Sequence, residues 1–593
     1  MTAWSYTLNE YAIIGNAGKR AMKNRFEIAA ELRVMARLLT IKGANPFKAQ
    51  AYDRAASALE NLDGDIEAFV KAGRLKEIAG VGNALAATIE EIYRTGECWM
   101  LQQLREELPP GAVELSEVPG LSLKKIIALN EALRIENIDD LKSACQQGLV
   151  SKVKGFGLKS QAKLLADIEK LGIHKEDGSL LLHQAREQAE NILAHLRMCP
   201  ELIGAEIAGA LRRRKETVEE IAIVAASDRP RAVLDQFLRF PALARTAELD
   251  ENRCLGFLAG GVQAELTVAA PADFIALLHA RTGAPSHVAK LRTIARSKGM
   301  TLLSDTWSPH DGKQPHFKSE GEIYQRLGLQ YIAPELREDE GEIEAAIAGT
   351  LPQPLELEDI RGMTHCHTVY SDGRNSIEEM ALAAQAMGMR YLTITDHSPS
   401  AYYARGVVID RLRAQWDEIA RVQERVEIKL LKGTESDILE DGSLDYPDSY
   451  LAQFDIIIAS IHSRHKMDSD QMTRRLLRAL ELPCFKIWGH PLGRLIQSRP
   501  PFACRMEEVL DAVAASRCAI EVNGDPHRLD LEPRWIRAAR ERGIKFIVST
   551  DAHSTGGLEN LAYGVSTARR GWLTRDEVLN TLDAECFMKA VRP

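Results

Sequence analysis

The stretch Thr364-His365-Cys366-His367-Thr368-Val369-Tyr370-Ser371-Asp372-Gly373 decides how the rest of the chain is read. Side chains at i and i+2 of a strand face the same way, so His365 and His367 converge on one point while Asp372 swings in from the following loop. Cys366 alternates to the opposite face, where it suits a core. A His-x-His pair alone is weak evidence for a metal; the strand ends beyond it supply the weight. Short β-rich runs follow at Met363–His365, Tyr391–Thr395, Glu427–Thr434, Asp455–Ser460, Phe485–Trp488, Ala519–Val522 and Ile544–Ser549, with helical stretches such as Ser376–Ala386 and Arg411–Gln423 between them. This alternation predicts a parallel sheet, and its seven units predict a closed or distorted barrel. The runs end in His365-x-His367, Asp396-His397, Glu435, His462, His490, Asn523 and Asp551-x-His553, with His465 and His527 just off these positions. Strand ends of a barrel ring one mouth. Six of the 15 histidines therefore collect at one place, as a metal site requires.

Working outward, 593 residues exceed one hydrophobic core and call for several domains. The 45% hydrophobic and 27% charged composition is that of a soluble globular protein. No apolar run reaches the ~20 residues of a membrane span, and no signal-peptide pattern opens the chain. Nine cysteines without a Cys-x-x-Cys pair fit a reducing interior, not a disulfide framework or a thiolate zinc site. A cytoplasmic, nucleoid-associated protein is expected. The net charge of −9 means that any nucleic-acid binding comes from local patches or backbone donors.

Residues 26–95 carry helical periodicity, broken at Gly43-Ala44-Asn45-Pro46. Glycine turns between short helices follow: Gly80-Val81-Gly82, Pro119-Gly120-Leu121 and Gly155-Phe156-Gly157. Glycines there let backbone N–H groups approach a phosphate at a helix N-terminus. Lys152, Lys154, Lys159 and Lys163 flank the third turn. The set predicts a grip on a DNA backbone without sequence readout, through Gly80, Gly82, Gly120, Gly155, Gly157 and Lys159.

Further on, Gly209-Ala210-Leu211-Arg212-Arg213-Arg214-Lys215-Glu216-Thr217 leads into the apolar run Ile221–Ala226. A glycine turn with arginines before a strand suits a triphosphate. Here the chain resembles the bacterial family X DNA polymerases, whose palm pattern Gly-Ser-x-Arg-Arg-Gly-x-Glu-Thr-x-Gly-Asp-x-Asp matches residues 209–224 in frame. Asn45-Pro46-Phe47, Thr282-Gly283 with His287, and Tyr331-Ile332-Ala333-Pro334 extend the resemblance. The two palm aspartates are Glu220 and Ala222 here, the third carboxylate is Glu265, and the turn serine is Ala210. Gly209, Arg213, Glu220, Ala222 and Glu265 thus outline a degenerate polymerase site. Two-metal nucleotidyl transfer needs carboxylates that bridge both ions, so template-directed polymerisation is expected to be weak or lost. The resemblance also places Thr88 where lyase-active relatives carry a Schiff-base lysine, and Ala84 where a second lysine would bind phosphate. Threonine cannot form that imine.

The back half looks like the PHP (polymerase and histidinol phosphatase) domain, which such polymerases carry at this position. Its nine-ligand pattern maps onto His365, His367, Asp372, His397, Glu435, His462, His490, Asp551 and His553, and Gly489-His490-Pro491-Leu492-Gly493-Arg494 repeats a family motif. The resemblance implies a (β/α)₇ barrel with a trinuclear Mn²⁺ or Zn²⁺ centre, and Mg²⁺ is allowed. Such ions bring the pKa of a bound water toward ~7. Glu435 is expected to bridge ions and Arg494 to pair a phosphate oxygen.

The implied architecture is a helix-hairpin-helix front, an α/β palm and thumb, and the distorted barrel. In residues it runs 1–100 (N-terminal helical), 101–175 (fingers-like), 176–272 (palm-like), 273–340 (thumb-like), 341–357 (linker) and 358–593 (PHP). The function implied is a DNA-repair 3′→5′ exonuclease or 3′-end phosphoesterase. It would act on gapped, nicked or 3′-end DNA, in company with other repair proteins. A working gap-filling polymerase and a small-molecule phosphatase are the alternatives.

Overall fold

The computed structural model describes residues 25–591 apart from short breaks, the widest at 107–114, 166–178 and 310–315. The chain forms two compact units, Met1–Asp177 and Gly178–Pro593. No described helix is long and apolar enough to cross a membrane.

The described part of the first unit is helical. Its glycine turns are one motif used three times. The residue after the first glycine donates its N–H three positions back in each: Val81 to Ile78 O (3.0 Å), Leu121 to Val118 O (3.1 Å) and Phe156 to Val153 O (3.0 Å). Gly80 and Gly155 adopt φ of +81° and +95°, a left-handed backbone open to glycine without strain. A Cβ on Gly80, Gly82, Gly155 or Gly157 would meet nothing within 4 Å, so these turns present bare backbone. Gly120 lies outside the described residues. Lys152, Lys154, Lys159 and Lys163 are all exposed. Thr88 is buried, and its hydroxyl donates to Ala84 O of its own helix (3.0 Å).

The second unit opens with a five-stranded mixed sheet: β1 (Gly204–Ile207), β2 (Glu220–Ala226), β3 (Leu243–Leu249), β4 (Arg253–Leu258) and β5 (Gln263–Ala269), in the order β1-β2-β5-β4-β3. Parallel pairing of β2 with β5 sets Ala222 opposite Glu265. The helical thumb-like region that follows is clasped to the sheet by buried charges. Both Arg212 guanidinium nitrogens reach Glu320 at 2.8 Å, and Arg337 reaches it at 2.7 Å. Arg213 pairs with Glu338 at 2.8 Å and donates to Thr282 O at 2.7 Å. The arginines expected to receive a triphosphate are therefore spent on the thumb.

The acidic segment expected to be a linker is folded. Its helix Glu342–Ala348 buries Glu342 against His287 (2.5 Å), and Leu351 and Leu355 are buried beyond it. Apolar residues at turn spacing outweigh its acidic composition.

The remainder is a seven-stranded, all-parallel sheet: β6 (Gly362–Met363), β7 (Tyr391–Ile394), β8 (Lys429–Asp437), β9 (Ile456–Ser460), β10 (Ile487–Trp488), β11 (Ala519–Asn523) and β12 (Phe546–Ser549), paired in chain order. All seven expected strands are present. Ser376 caps the first connecting helix, Ile377–Ala386, by exchanging bonds with Glu379. The seam between β6 and β12 closes in two places. Asn580 donates to Gly362 O (3.0 Å) and Val548 O (2.8 Å) and accepts from Val548 N (2.9 Å). Past the strands, His367 N donates to Ala552 O (2.8 Å) and Ala552 N to His365 O (3.2 Å). This second closure brings the His365/His367 pair against Asp551 and His553.

Period-two alternation sorts the strand residues. One face (Tyr391, Leu431, Ile456, Ile458, Ile487, Ala519, Ile547) packs with Phe587 and Val591 of the last helix, Ala584–Val591. The other face (Leu392, Leu430, Ile457, Trp488, Ile520, Val548) joins the larger core that includes connecting-helix residues such as Met380, Leu412 and Leu476. Continuing the first face toward the strand C-termini gives Glu435, Ser460, Glu521, Asn523 and Ser549, all buried. The barrel interior thus runs from apolar at the base to polar at the mouth.

Candidate metal centre

Glu435 lies at the middle of that mouth, completely buried, and its two oxygens face different histidines. Oε1 lies 2.7 Å from His490 Nε2 and 3.1 Å from His462 Nε2. Oε2 lies 2.8 Å from His397 Nδ1 and 3.6 Å from Nε2 of both His365 and His367. Asp551 Oδ1 joins at 3.2 Å from His367 and 3.5 Å from His365. Asp372 closes the outer side, 3.4 Å from His553 and 3.7 Å from His397. All nine expected ligands meet at one mouth.

Three groups of ligand atoms are close enough to share an ion: His367, Asp372, His397 and His553; His365, His367 and Asp551; His397, Glu435 and His462. His365 Nε2, His367 Nε2, His397 Nδ1 and Glu435 Oε2 are buried and make no hydrogen bond. Buried polar atoms are nearly always satisfied. These four face one another, and even the 2.8 Å approach of His397 Nδ1 to Glu435 Oε2 lacks hydrogen-bond geometry, an arrangement that fits shared cations. Burial opposes ionisation of Glu435, yet His462, His397 and His365 hold it well below the ordinary carboxylate range. Burial likewise opposes ionisation of Asp372, and His553 and His367 bring it to about 2. These carboxylates are anionic across neutral pH, as cation ligands must be.

Three carboxylates support the ring, and two of them, Glu521 and Asp437, are not singled out by the sequence pattern. Glu521 accepts from His365 Nδ1 (2.6 Å), Ser549 Oγ (2.6 Å) and His490 N (2.5 Å), so His365 turns Nε2 toward the cluster. Asp437 does the same for His462 through Nδ1 (2.8 Å). Asp396, read as metal-capable, lies outside the three groups; it binds Thr368 N (2.8 Å), Ser371 N (3.1 Å) and Ser371 Oγ (2.5 Å), fixing the loop that carries Asp372. Strand parity was the available signal for Glu521, because residues 519, 521 and 523 share a face. Orienting partners of this kind are typically worth ~10–100-fold in metal affinity or activity. Glu521→Gln is therefore expected to lower bound metal by that factor in a folded protein, measured as metal retained after dialysis.

The expectation for Arg494 is corrected. Its guanidinium is buried and bonded to Glu216 (2.9 and 3.1 Å), Glu532 (3.2 Å), Arg528 O (2.8 Å) and Leu529 O, leaving nothing for a phosphate. It ties the 525–532 loop to the β1–β5 region, and Leu529 is buried in the core of that region. The arginine beside the ligands is Arg528, whose Nε lies 3.3 Å from Asp551 Oδ2.

In the palm-like sheet, Glu265 is buried, and its carboxylate is held by Arg253 (2.7 Å), Arg281 (3.0 Å) and Thr267 (3.0 Å). Burial and the neighbouring Glu265 raise the Glu220 carboxyl above its ordinary value. Gly209 takes φ +61°, and a Cβ there would come within 3.3 Å of the Ala222 Cβ. Two guanidinium groups of the protein already balance the carboxylate at this position.

A seven-stranded parallel barrel with a histidine–carboxylate ring, joined to a palm-and-thumb sheet and repeated glycine hairpins, defines a metal-binding barrel protein built onto a polymerase-type frame. Family models agree: a helix-hairpin-helix domain matches residues 23–98, the DNA polymerase beta thumb 277–338 and the PHP domain 364–525. The DNA polymerase/3′-5′ exonuclease PolX of Bacillus subtilis (strain 168) is 34% identical over 570 residues, covering 95% of this chain and 99% of that protein. A probable phosphatase of Thermoanaerobacter sp. (strain X514) is 29% identical over 230 residues, 37% of this chain and 89% of its own. A probable phosphatase of Shewanella sediminis is 25% identical over 230 residues, 37% and 88% of the two chains. The chain belongs to the family X DNA polymerases that carry a PHP domain. Its helix-hairpin-helix and polymerase-type domains imply DNA binding.

Proposed function

We propose that this protein is a metal-dependent 3′→5′ exonuclease or 3′-end phosphoesterase of DNA repair, and that its palm contributes little or no DNA synthesis. The observation that carries this reading is Glu435, whose oxygens divide between separate histidine sets within a complete ligand ring. The donors are imidazoles and carboxylates without thiolate, a set suited to Mn²⁺ or Zn²⁺ and also open to Mg²⁺. Divalent ions held there supply Lewis acidity and acidify a water. The chain's own residues do the rest. Glu521 and Asp437 fix the orientation of His365 and His462. Glu435, Asp372 and Asp551 supply the anionic oxygens that a cation requires. In hydrolysis a water oxygen bonds to phosphorus as the bond to the 3′-oxygen breaks. That oxygen takes a proton, leaving a 3′-hydroxyl and a nucleoside 5′-monophosphate. The exposed glycine turns and lysines of the first unit suit the DNA backbone, a feature that a phosphatase of small metabolites does not need.

The test uses 5′-labelled single-stranded and gapped DNA with Mn²⁺, Zn²⁺ or Mg²⁺, with and without dNTPs. Stepwise shortening is expected, lost on EDTA treatment and in the His365→Ala/His367→Ala variant. Shortening that survives the variant would refute the assignment. Hydrolysis of small phosphate monoesters without any DNA shortening would favour the phosphatase reading.

A further inference from the structure

Beside the ligand ring stand two groups that the ring itself does not use. Arg528 is mostly buried (side chain 16% exposed), yet its Nε and Nη1 make no hydrogen bond. Its charge lies near Asp551 (3.3 Å) and Asp525 (3.8 Å), and its backbone is gripped by Arg494. A few residues past His397, Tyr402 and Tyr403 occupy a short 3₁₀ turn and are 87% and 69% exposed. Tyr402 is the most exposed large apolar side chain among the described residues. Tyr403 nevertheless lies at the site: its ring centroid is 6.0 Å from that of His397 and 6.3 Å from that of His462.

The tyrosine turn is held by the ligands' own strands. Ser398 N donates to Glu435 O (3.0 Å), Val407 N to His397 O (2.8 Å), and Ser400 Oγ to Asp437 (2.7 Å). A Cβ on Gly406 would strike Ser398 O at 1.9 Å, so the loop ends approach as only glycine allows. Two exposed aromatic residues thus share one fixed turn, and one of them, Tyr403, borders the ligand histidines. Adjacent stacking rings are the usual means of holding unpaired bases, and a planar guanidinium is the usual partner of a phosphate.

We infer that Arg528 and the Tyr402–Tyr403 pair form a subsite for the 3′-terminal nucleotides, with Arg528 pairing the phosphate and the rings stacking on bases. The inference rests on the exonuclease reading and adds to it the side chains that would hold the last nucleotides. A base on these rings cannot at the same time sit in a duplex stack.

Two oligonucleotides separate this role from general damage: a single-stranded DNA, and the same DNA with abasic residues at its last two positions. Wild type should cut the abasic substrate about tenfold more slowly. Tyr402→Ala/Tyr403→Ala should lose about tenfold in kcat/KM on normal DNA, mostly through KM, and almost nothing on the abasic substrate. Tyr403→Phe should behave as wild type. Arg528→Lys should lose about 10²-fold on both substrates with its metal content unchanged. Equal losses of the tyrosine variant on the two substrates, or none, would overturn the base subsite; loss of metal in Arg528→Lys would overturn the phosphate role. If wild type cut neither oligonucleotide, the exonuclease reading would fall and this subsite with it.

Discussion

Glu435→Gln is expected to reduce DNA hydrolysis by roughly 10³-fold or more while leaving the chain folded. Outer-sphere partners of metal ligands are worth ~10–100-fold, and Glu435 does more, because both of its oxygens meet ligand histidines. The substitution keeps the volume but removes the charge that offsets His462, His397 and His365. The variant should retain fewer metal ions than wild type after dialysis, and its nuclease rate should not recover with excess Mn²⁺. Circular dichroism and thermal melting would show whether the fold is retained. A variant that held its full metal content and cut DNA at even a tenth of the wild-type rate would refute the bridging role.

The second large effect is in the palm. Primer extension should be at least ~10²-fold below that of a polymerase with three intact carboxylates, since an error of ~1 Å in such a site already costs about that much. Ala222→Asp alone should not restore synthesis. Glu265, its partner across the β2–β5 ladder, would still be neutralised by Arg253 and Arg281. Arg213 would still be paired with Glu338. Adding Arg253→Ala and Arg281→Ala to Glu220→Asp/Ala222→Asp/Glu265→Asp tests the point. Extension by the aspartate triple with both arginines in place would show that they do not block the site.

The palm need not be idle without synthesis. Glu216, on its arginine turn, pairs with Arg494, which holds the carbonyls of Arg528 and Leu529. Leu529 inserts into the palm core. The palm-like region thus braces the loop beside the histidine–carboxylate ring.

Much of this site was legible because its determinants are local. Most ligands stand at or just past the C-terminal end of a short buried strand, and a barrel places every strand end at one mouth. That logic found Glu435 and the His365/His367 pair from spacing alone. It missed Glu521, which lies inside an apolar strand and is recognised only when the strand's inward face is known. The family motif Gly489–Arg494 points to Arg494, and nothing local in the sequence singles out Arg528. Their fates differ through Glu216, 278 residues from Arg494. The Arg212–Arg213 pair read as a phosphate site for the same reason, since its partners Glu320 and Glu338 lie 108 and 125 residues away.

The sequence by itself determined the His365-Cys366-His367 pair, the seven strands and the gathering of metal-capable side chains at their ends, because strand pattern and strand-end placement act within a few residues; the choice of nine among those side chains follows from the family resemblance. The tertiary structure alone decided which groups are spent and which are available. Arg494 is consumed by the palm and Glu265 by Arg253 and Arg281, while Arg528 lies beside Asp551 with Nε and Nη1 free of hydrogen bonds and Tyr403 is exposed next to His397. Ion pairing and burial depend on what the fold brings together across hundreds of residues, and no local pattern in the chain encodes that.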